Sequence, residues 1–155
     1  MPDTVEYSLK VLHRLYYSKS KLNKIFPNVS PLCDKCQIHK ATLTHSFILC
    51  PKIESFWTEI FRIFSNTLKI TLEPGHRMII LGHSEALSKL TASQQRFVSY
   101  GLIAAKKLIL KFWKGAEVPP VRLWISDLTD TLHLERIRFI LSDKLKQFSK
   151  IWSPF

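Results

Sequence analysis

The sequence predicts a mostly α-helical protein in which a small metal module is attached to a helical body of about four helices. Apolar residues recur at helical spacing along most of the chain, and glycine is scarce, with 4 in 155 residues. Three cysteines and a histidine are grouped in one short segment. We therefore divide the chain into residues 1–29 (a helix and a basic loop), 30–51 (the metal module) and 52–155 (the helical body). Hydrophobic residues make up 46% of the chain, enough for a packed core.

The first half of the chain contains two predicted helices separated by the metal module. Apolar side chains at helical spacing predict the first helix over residues 5 to about 17. Residues 18 to 31 are polar and basic and are interpreted as a loop that leads into the module. Pro51 suits the first turn of a helix, and an amphipathic, aromatic-rich pattern predicts that helix over residues 53–68.

The second half contains two further helical regions. Residues 69–83 form a turn and a short buried segment, either a strand or a helical turn. Thr91 offers a cap for a helix from about 93 to 114, largely buried except for an exposed stripe of Lys107, Lys111 and Lys114. A third helical region follows from about 120 to 148, with a potential interruption near Asp130, and an apolar tail at 149–155 docks onto the body.

The cysteine spacing indicates a zinc site. Cys33, Cys36, His45 and Cys50 form the pattern C-x2-C-x8-H-x4-C, which supplies the four ligands of a tetrahedral structural zinc ion. A disulfide framework would leave one of the three thiols unpaired. The alternative is chance clustering of buried cysteines.

The histidine ligand has a competitor. His39 lies three residues after Cys36 and offers the same donor atom. We prefer His45, since His39 belongs to a polar loop and His45 precedes Cys50 by five positions in a more apolar segment. The alternative interpretation of His39 is a solvated loop histidine.

The charge distribution favours a polyanionic partner. The formal net charge is +11, and no acidic residue occurs between Glu6 and Asp34 or from Ala86 to Ala116. A solvated helix face would explain either basic region by itself. Burial in the core would equally explain the two tyrosines among the candidates. The nucleic-acid-binding candidates are Arg14, Tyr16, Tyr17, Lys19, Lys21, Lys24, Lys35 and Lys40.

The metal module and its surroundings resemble a known family. Residues 32–36, residues 41–53 with the pattern T-x-x-H-x4-C-P, and Phe56-Trp57 resemble the C-terminal cysteine-histidine segment of LINE-class (non-LTR) retrotransposon reverse-transcriptase proteins. The resemblance continues at residues 81–82, 104–107, 112–114, 119–124 and 148–155. It spans nearly the whole chain, and it implies that Cys33, Cys36, His45 and Cys50 are the zinc ligands.

The resemblance implies a function in binding the RNA of the element. Such a segment supports target-primed reverse transcription without catalysing it, and the expected partners are RNA, DNA in second place, and the reverse transcriptase core of a parent protein. The chain is then a fragment or remnant of that protein. It lacks the paired carboxylates of a polymerase, so we expect no enzyme. The alternative is a structural domain that docks onto the polymerase core or a host protein through the helix at 53–68 and Trp152.

The expected location is intracellular, as a ribonucleoprotein of nucleus and cytoplasm. The N-terminus lacks the apolar core of a signal peptide, and no run reaches the roughly 18 apolar residues of a membrane span, so we expect no membrane partner.

Overall fold

The computed structural model describes residues 16–155. Within this range the protein is mostly helical and contains no named strand, and its one isolated antiparallel bridge joins Leu32 and Lys40. The predicted fold class is thus confirmed. The helix predicted for residues 5 to 17 lies outside the described range, apart from its last two positions.

Seven α-helices and one π-helical turn make up the described chain. None of these helices is long and apolar enough to cross a membrane. The helices are α1 (Lys19–Ile25), α2 (Pro51–Leu68), α3 (His76–Leu81), α4 (Glu85–Ser88), α5 (Ala92–Lys111), α6 (Val121–Leu141) and α7 (Leu145–Trp152), and the π-helical turn is His45–Leu49.

The prediction of a loop over residues 18 to 31 is wrong for helix α1. Ser18 caps this helix, since its hydroxyl oxygen accepts a hydrogen bond from the Lys21 backbone N–H at 3.3 Å. The helix buries none of its own residues. It therefore has no amphipathic pattern, which is the signal that sequence periodicity detects.

The helices of the body largely follow the prediction. Helix α2 begins at Pro51 and ends at Leu68, and Thr91 and Gln94 form a capping box at the start of α5. The segment after residue 69 contains the helical turn, α3, rather than a strand. The body holds six helices rather than about four. The two additional helices are α3 and α4, which are too short to produce a clear periodic pattern in the sequence.

The end of the third helical region differs from the prediction. Helix α6 passes Asp130 without interruption, because this side chain is exposed and its polarity costs nothing there. The break comes at residues 142–144, where Asp143 adopts a left-handed backbone conformation with φ of 55°. Helix α7 then returns and buries Ile151 and Trp152, so the tail docks as predicted.

Aromatic rings from three helices form the centre of the core. The Phe64 ring of α2 meets the rings of Phe97 on α5 and Trp124 on α6 edge to face, with centroids 6.0 and 5.6 Å apart. Gly101 makes room for them, since a Cβ atom there would lie 2.5 Å from Cζ of Phe64. The indole N–H of Trp124 donates to the Gly101 carbonyl oxygen at 2.8 Å. This core supports the helix, α2, at whose first turn the metal module ends.

Candidate metal centre

The structure brings Cys33, Cys36, His45 and Cys50 together. Their ligand atoms all lie within 4.8 Å of one another. The Sγ atoms of Cys33 and Cys50 are 3.9 Å apart, and Sγ of Cys36 is 3.4 Å from Nε2 of His45. A zinc ion with its usual bond lengths would place such atoms about 3.8 and about 3.6 Å apart. The four residues could therefore hold a metal ion of this size.

A short hairpin positions the first cysteine pair. The backbone N–H of Cys33 donates to the carbonyl oxygen of His39 at 2.9 Å, and Leu32 bridges to Lys40. Between them, the N–H of Gln37 donates back to the Cys33 carbonyl oxygen at 2.9 Å. Gln37 takes a left-handed conformation with φ of 57°, which reverses the chain. Because of this tight turn, the side chains of Cys33 and Cys36 both point toward one centre.

The π-helical turn positions the second ligand pair. The Cys50 backbone N–H donates to the His45 carbonyl oxygen at 2.8 Å, which closes the five-residue spacing between these two ligands. The N–H of His45 is held by Oγ1 of Thr42 at 3.0 Å. Cys50 itself is the N-cap residue of α2, as predicted from Pro51. The rigid start of α2 thus fixes one side of the site.

The turn is also anchored to the core. The indole N–H of Trp57 donates to the Phe47 carbonyl oxygen at 2.9 Å, and both side chains are buried. The two residues lie on the turn and on α2, so this bond keeps the His45–Leu49 segment against the helix that follows it. The sequence pattern T-x-x-H-x4-C-P followed by Phe-Trp therefore corresponds to one packed unit.

Burial and hydrogen bonds shift the pKa values of three of the four residues. Cys50 is fully buried, and burial raises the pKa of its thiol to about 11. Cys36 is more accessible. Burial is the largest single influence on the Cys36 thiol and tends to raise its pKa, but hydrogen bonds from the backbone N–H groups of His39 and Ile38 and from the side chains of Cys33 and Cys50 together lower it. Burial, and secondarily His39, lowers the pKa of His45, which favours the neutral imidazole that binds metals.

His39 is not part of the converging set. Its side chain is exposed, and its ring centroid lies 5.4 Å from that of His45. Its contribution to the hairpin is the backbone carbonyl that accepts from Cys33. The arrangement thus agrees with the choice of His45 made from the sequence.

The metal module is joined to the helical body by a lysine. Lys35, between Cys33 and Cys36, donates its ammonium group to the carbonyl oxygens of Phe112 at 2.7 Å and Gly115 at 3.1 Å. These carbonyls follow the C-terminus of α5, where a cation is favoured. Burial lowers the pKa of Lys35, against the nearby thiols of Cys33 and Cys50 and the carboxylate of Asp34, which raise it.

The same end of α5 holds the segment that leads into α1. The indole N–H of Trp113 donates to the Tyr17 carbonyl oxygen at 3.3 Å, and its ring lies 6.0 Å from that of Tyr16. Lys19 forms a 2.6 Å ion pair with Asp34 in the metal module. These contacts therefore connect the start of helix α1 to both the metal module and the C-terminal end of α5.

The predicted nucleic-acid-binding residues fall into three groups. Arg14 lies outside the described residues. Lys19, Lys35 and the half-buried Tyr16 make the contacts just given within the protein. Four candidates are exposed: Tyr17, Lys21, Lys24 and Lys40, with the Lys21 ammonium 4.6 Å from the centroid of the Tyr17 ring.

An open groove of about 560 Å³ lies between α1 and the residues just before the π-helical turn. The sequence analysis grouped Lys21, Lys24 and Tyr16 as nucleic-acid-binding candidates. It did not identify the serine and threonine residues that line the groove with them. Small hydroxyl residues in a loop carry no distinguishing signal, so only the fold reveals them. The groove is lined by Tyr16, Ser18, Ser20, Lys21, Lys24, Thr42, Leu43 and Thr44.

The surfaces suggested for docking to a protein partner are buried instead. The aromatic side chains of α2, including Phe56 and Trp57, lie in the core, and so does Trp152. They hold the fold together and cannot at the same time contact another protein.

No family model matches the chain.

Proposed function

We propose that the protein is a zinc-stabilised module that binds single-stranded RNA. The observation that carries this proposal is the open groove beside the metal site, with Lys21 and Lys24 exposed on its wall. None of the described residues that line the groove is acidic. Two lysines and several hydroxyl groups suit the phosphates and sugars of a nucleic-acid backbone.

The donor set supports zinc as the metal. Three thiolates and one imidazole are typical of structural zinc, and the thiolates disfavour magnesium or calcium, which take oxygen ligands. Four protein ligands complete a tetrahedron and leave no position for water. We infer a structural role for the ion, which holds residues 30–51 in shape, and no catalysis.

RNA is favoured over duplex DNA by the shape and the aromatic content of this surface. Tyr17 is half exposed at the edge of α1, within cation–π distance of Lys21, and can offer its ring to an unpaired base. A helix for insertion into a major groove would need to be basic and prominent. Helix α1 has seven residues and is short for that purpose.

We further propose that the chain is the C-terminal segment of a LINE-class reverse-transcriptase protein. The cysteine-histidine spacing, the Thr42 to Pro51 context and Phe56-Trp57 support this proposal. In that setting the module would hold the RNA of the element during target-primed reverse transcription, while other parts of the parent protein carry the chemistry.

The experiment measures the affinity of the zinc-loaded protein for a single-stranded RNA at several salt concentrations. We expect the double variant Lys21→Gln/Lys24→Gln to bind more weakly and to reduce the slope of log K against log salt by about 1.4, from two lost phosphate contacts. The matched control is Lys89→Gln/Lys146→Gln, which removes the same charge from exposed positions elsewhere. Equal losses in the two double variants would show a non-specific effect of net charge and would refute the groove.

A second candidate function is docking onto a reverse transcriptase core or a host protein. The observation that favours it is a stripe of exposed aliphatic side chains on α6, at Leu134, Ile137 and Leu141. Salt-insensitive binding to a protein, together with no measurable RNA binding, would favour this candidate over the first.

A further inference from the structure

The groove and the candidate metal centre share one segment of the chain, residues 41–44. Three residues of this segment, Thr42, Leu43 and Thr44, form one wall of the groove. Two of the four potential metal ligands precede the segment in the chain, and two follow it. An ion bound by all four would therefore close a loop that contains this wall.

Thr42 connects the wall to the π-helical turn by two hydrogen bonds. Its Oγ1 accepts from the backbone N–H of His45 at 3.0 Å, and its carbonyl oxygen accepts from the N–H of Ser46 at 2.9 Å. These are the two bonds by which a residue caps the start of a helical turn. The Thr42 residue is also exposed and lines the groove. One side chain therefore holds the backbone of a potential metal ligand and belongs to the wall that faces a nucleic acid.

The opposite wall of the groove, helix α1, is bonded to the metal module as well. The backbone N–H of Ser20 donates to the Ala41 carbonyl oxygen at 3.1 Å. Lys19 pairs with Asp34, which follows Cys33 directly in the chain. The two exposed lysines of the groove lie on this helix, so the module sets their distance from the other wall.

Ordering the shared segment has a cost in conformational entropy. An ion that closes the loop orders the wall in advance, so RNA that binds afterwards loses less entropy. Such a linkage is reciprocal, because RNA that holds the wall in place must raise the affinity for the ion by the same factor. The shared segment therefore makes each ligand of the module an effector of the other.

We propose that metal and RNA bind this module cooperatively, with Thr42 as the positioning residue that couples the two sites. Its hydroxyl oxygen holds the His45 N–H, so the π-helical turn and the groove wall are ordered together. The proposal rests on the proposed function, because it requires RNA in the groove. It adds a regulation of that site, since the supply of metal then sets the affinity for RNA.

The first experiment measures the dissociation constant of a fluorescent oligouridine of about ten nucleotides. The full chain is used zinc-free and loaded with one equivalent of zinc, both under reducing conditions. The coupling ratio is the dissociation constant of the zinc-free protein divided by that of the loaded protein, and we expect at least about 5 for the wild type. In competition with a chromogenic chelator, saturating oligouridine should raise the affinity for zinc by the same factor.

Three variants test the role of Thr42. Thr42→Val keeps the side-chain shape but removes the acceptor of the His45 N–H, so the coupling ratio should fall about fivefold, toward one. Thr42→Ser keeps the hydroxyl and should keep the ratio. Thr44→Val is the matched control, since Thr44 is exposed in the same wall but its side chain makes no cap hydrogen bond. A mere contact of Thr42 with RNA would weaken binding equally in both states and leave the ratio unchanged.

Equal RNA affinity of the zinc-loaded and zinc-free wild type would overturn the coupling while RNA binding in the groove still stands. An unchanged ratio in Thr42→Val, or an equal fall in Thr44→Val, would overturn the role of Thr42. No RNA binding by the loaded wild type would refute the groove itself. Metal analysis and circular dichroism verify the zinc content and folding of each variant. The reciprocal zinc measurement on the wild type needs no variant, so it decides the coupling even where Thr42→Val retains no zinc.

Discussion

The ammonium group of Lys35 lies 2.7 Å from the carbonyl oxygen of Phe112, so a residue in the hairpin of the metal module binds the C-terminal end of helix α5. The two residues are far apart in sequence and belong to different parts of the protein. Lys35 was a candidate for contacting nucleic acid, but in the structure it joins the metal module to the body. Its contribution to stability can be separated from metal binding.

Replacing Lys35 with methionine should destabilise the protein while leaving the metal in place. The change removes a charged donor from two carbonyl oxygens and keeps the side-chain volume, so we expect a loss of about 1–3 kcal/mol. Urea denaturation gives the loss, and metal analysis gives the metal content. Lys40→Met, at an exposed position of the same module, is the control and should change stability by less than about 0.5 kcal/mol. Equal effects would contradict the role of the Phe112 contact.

His45→Ala should abolish stoichiometric metal binding, whereas His39→Ala should retain it. The imidazole of His45 lies 3.4 Å from Sγ of Cys36 and within the converging set, while that of His39 is exposed. Metal content per chain after dialysis against a weak chelator measures the difference. Loss of metal in the His39 variant alone would show that the sequence and the structure both point to the wrong histidine.

Gly101→Ala should destabilise the core although alanine has the higher helix propensity. The added Cβ would lie 2.5 Å from Cζ of Phe64 and 3.2 Å from Cζ2 of Trp124, so rings in a packed cluster must move. Overpacking of this kind costs about 1–3 kcal/mol. Gly75→Ala, where a Cβ meets nothing within 4 Å, is the matched control. Thermal or urea unfolding of the two variants gives the comparison, and a neutral Gly101→Ala would show that the cluster yields.

The buried Lys106 should make stability rise with pH above about 8. Burial lowers its pKa to about 8, and its ammonium donates to the Ile80 carbonyl oxygen at 2.9 Å. The charged form is therefore disfavoured in the folded state. Between a folded pKa of about 8 and an unfolded value of 10.5, the unfolded chain binds more protons, so the free energy of unfolding increases with pH.

The measurement compares the wild type with Lys106→Met from pH 7.5 to 9.5. We expect the wild type to gain about 2 kcal/mol relative to the variant over this range. Other titrating groups are common to the two proteins and cancel in the difference. Lys89→Met, which replaces an exposed lysine in the same way, is the matched control. A constant difference between wild type and Lys106→Met would mean that Lys106 stays charged throughout.

Elements with a strong periodic pattern could be predicted from the sequence. Helix α2 begins at the predicted proline, and α5 begins after the predicted threonine cap. Each buries an apolar face, and burial of such a face is what makes a pattern visible. Helix α1 could not be predicted this way, because it packs none of its residues into the core and depends on the Ser18 cap and on the hydrogen bond from Ser20 N–H to the Ala41 carbonyl oxygen.

The sequence by itself determined the helical class, because the spacing of apolar residues is a local property of the chain. It also determined the four residues that could bind a metal, because their ligand chemistry and spacing can be read from the sequence. Tertiary structure decided which side chains are free for function. Lys19 and Lys35 are bound within the protein, the aromatic residues of α2 and Trp152 are buried, and Leu134, Ile137 and Leu141 on α6 remain exposed. The physical reason is that a side chain's availability depends on what lies opposite it, and contacts such as that of Lys35 with Phe112 join positions far apart in the chain.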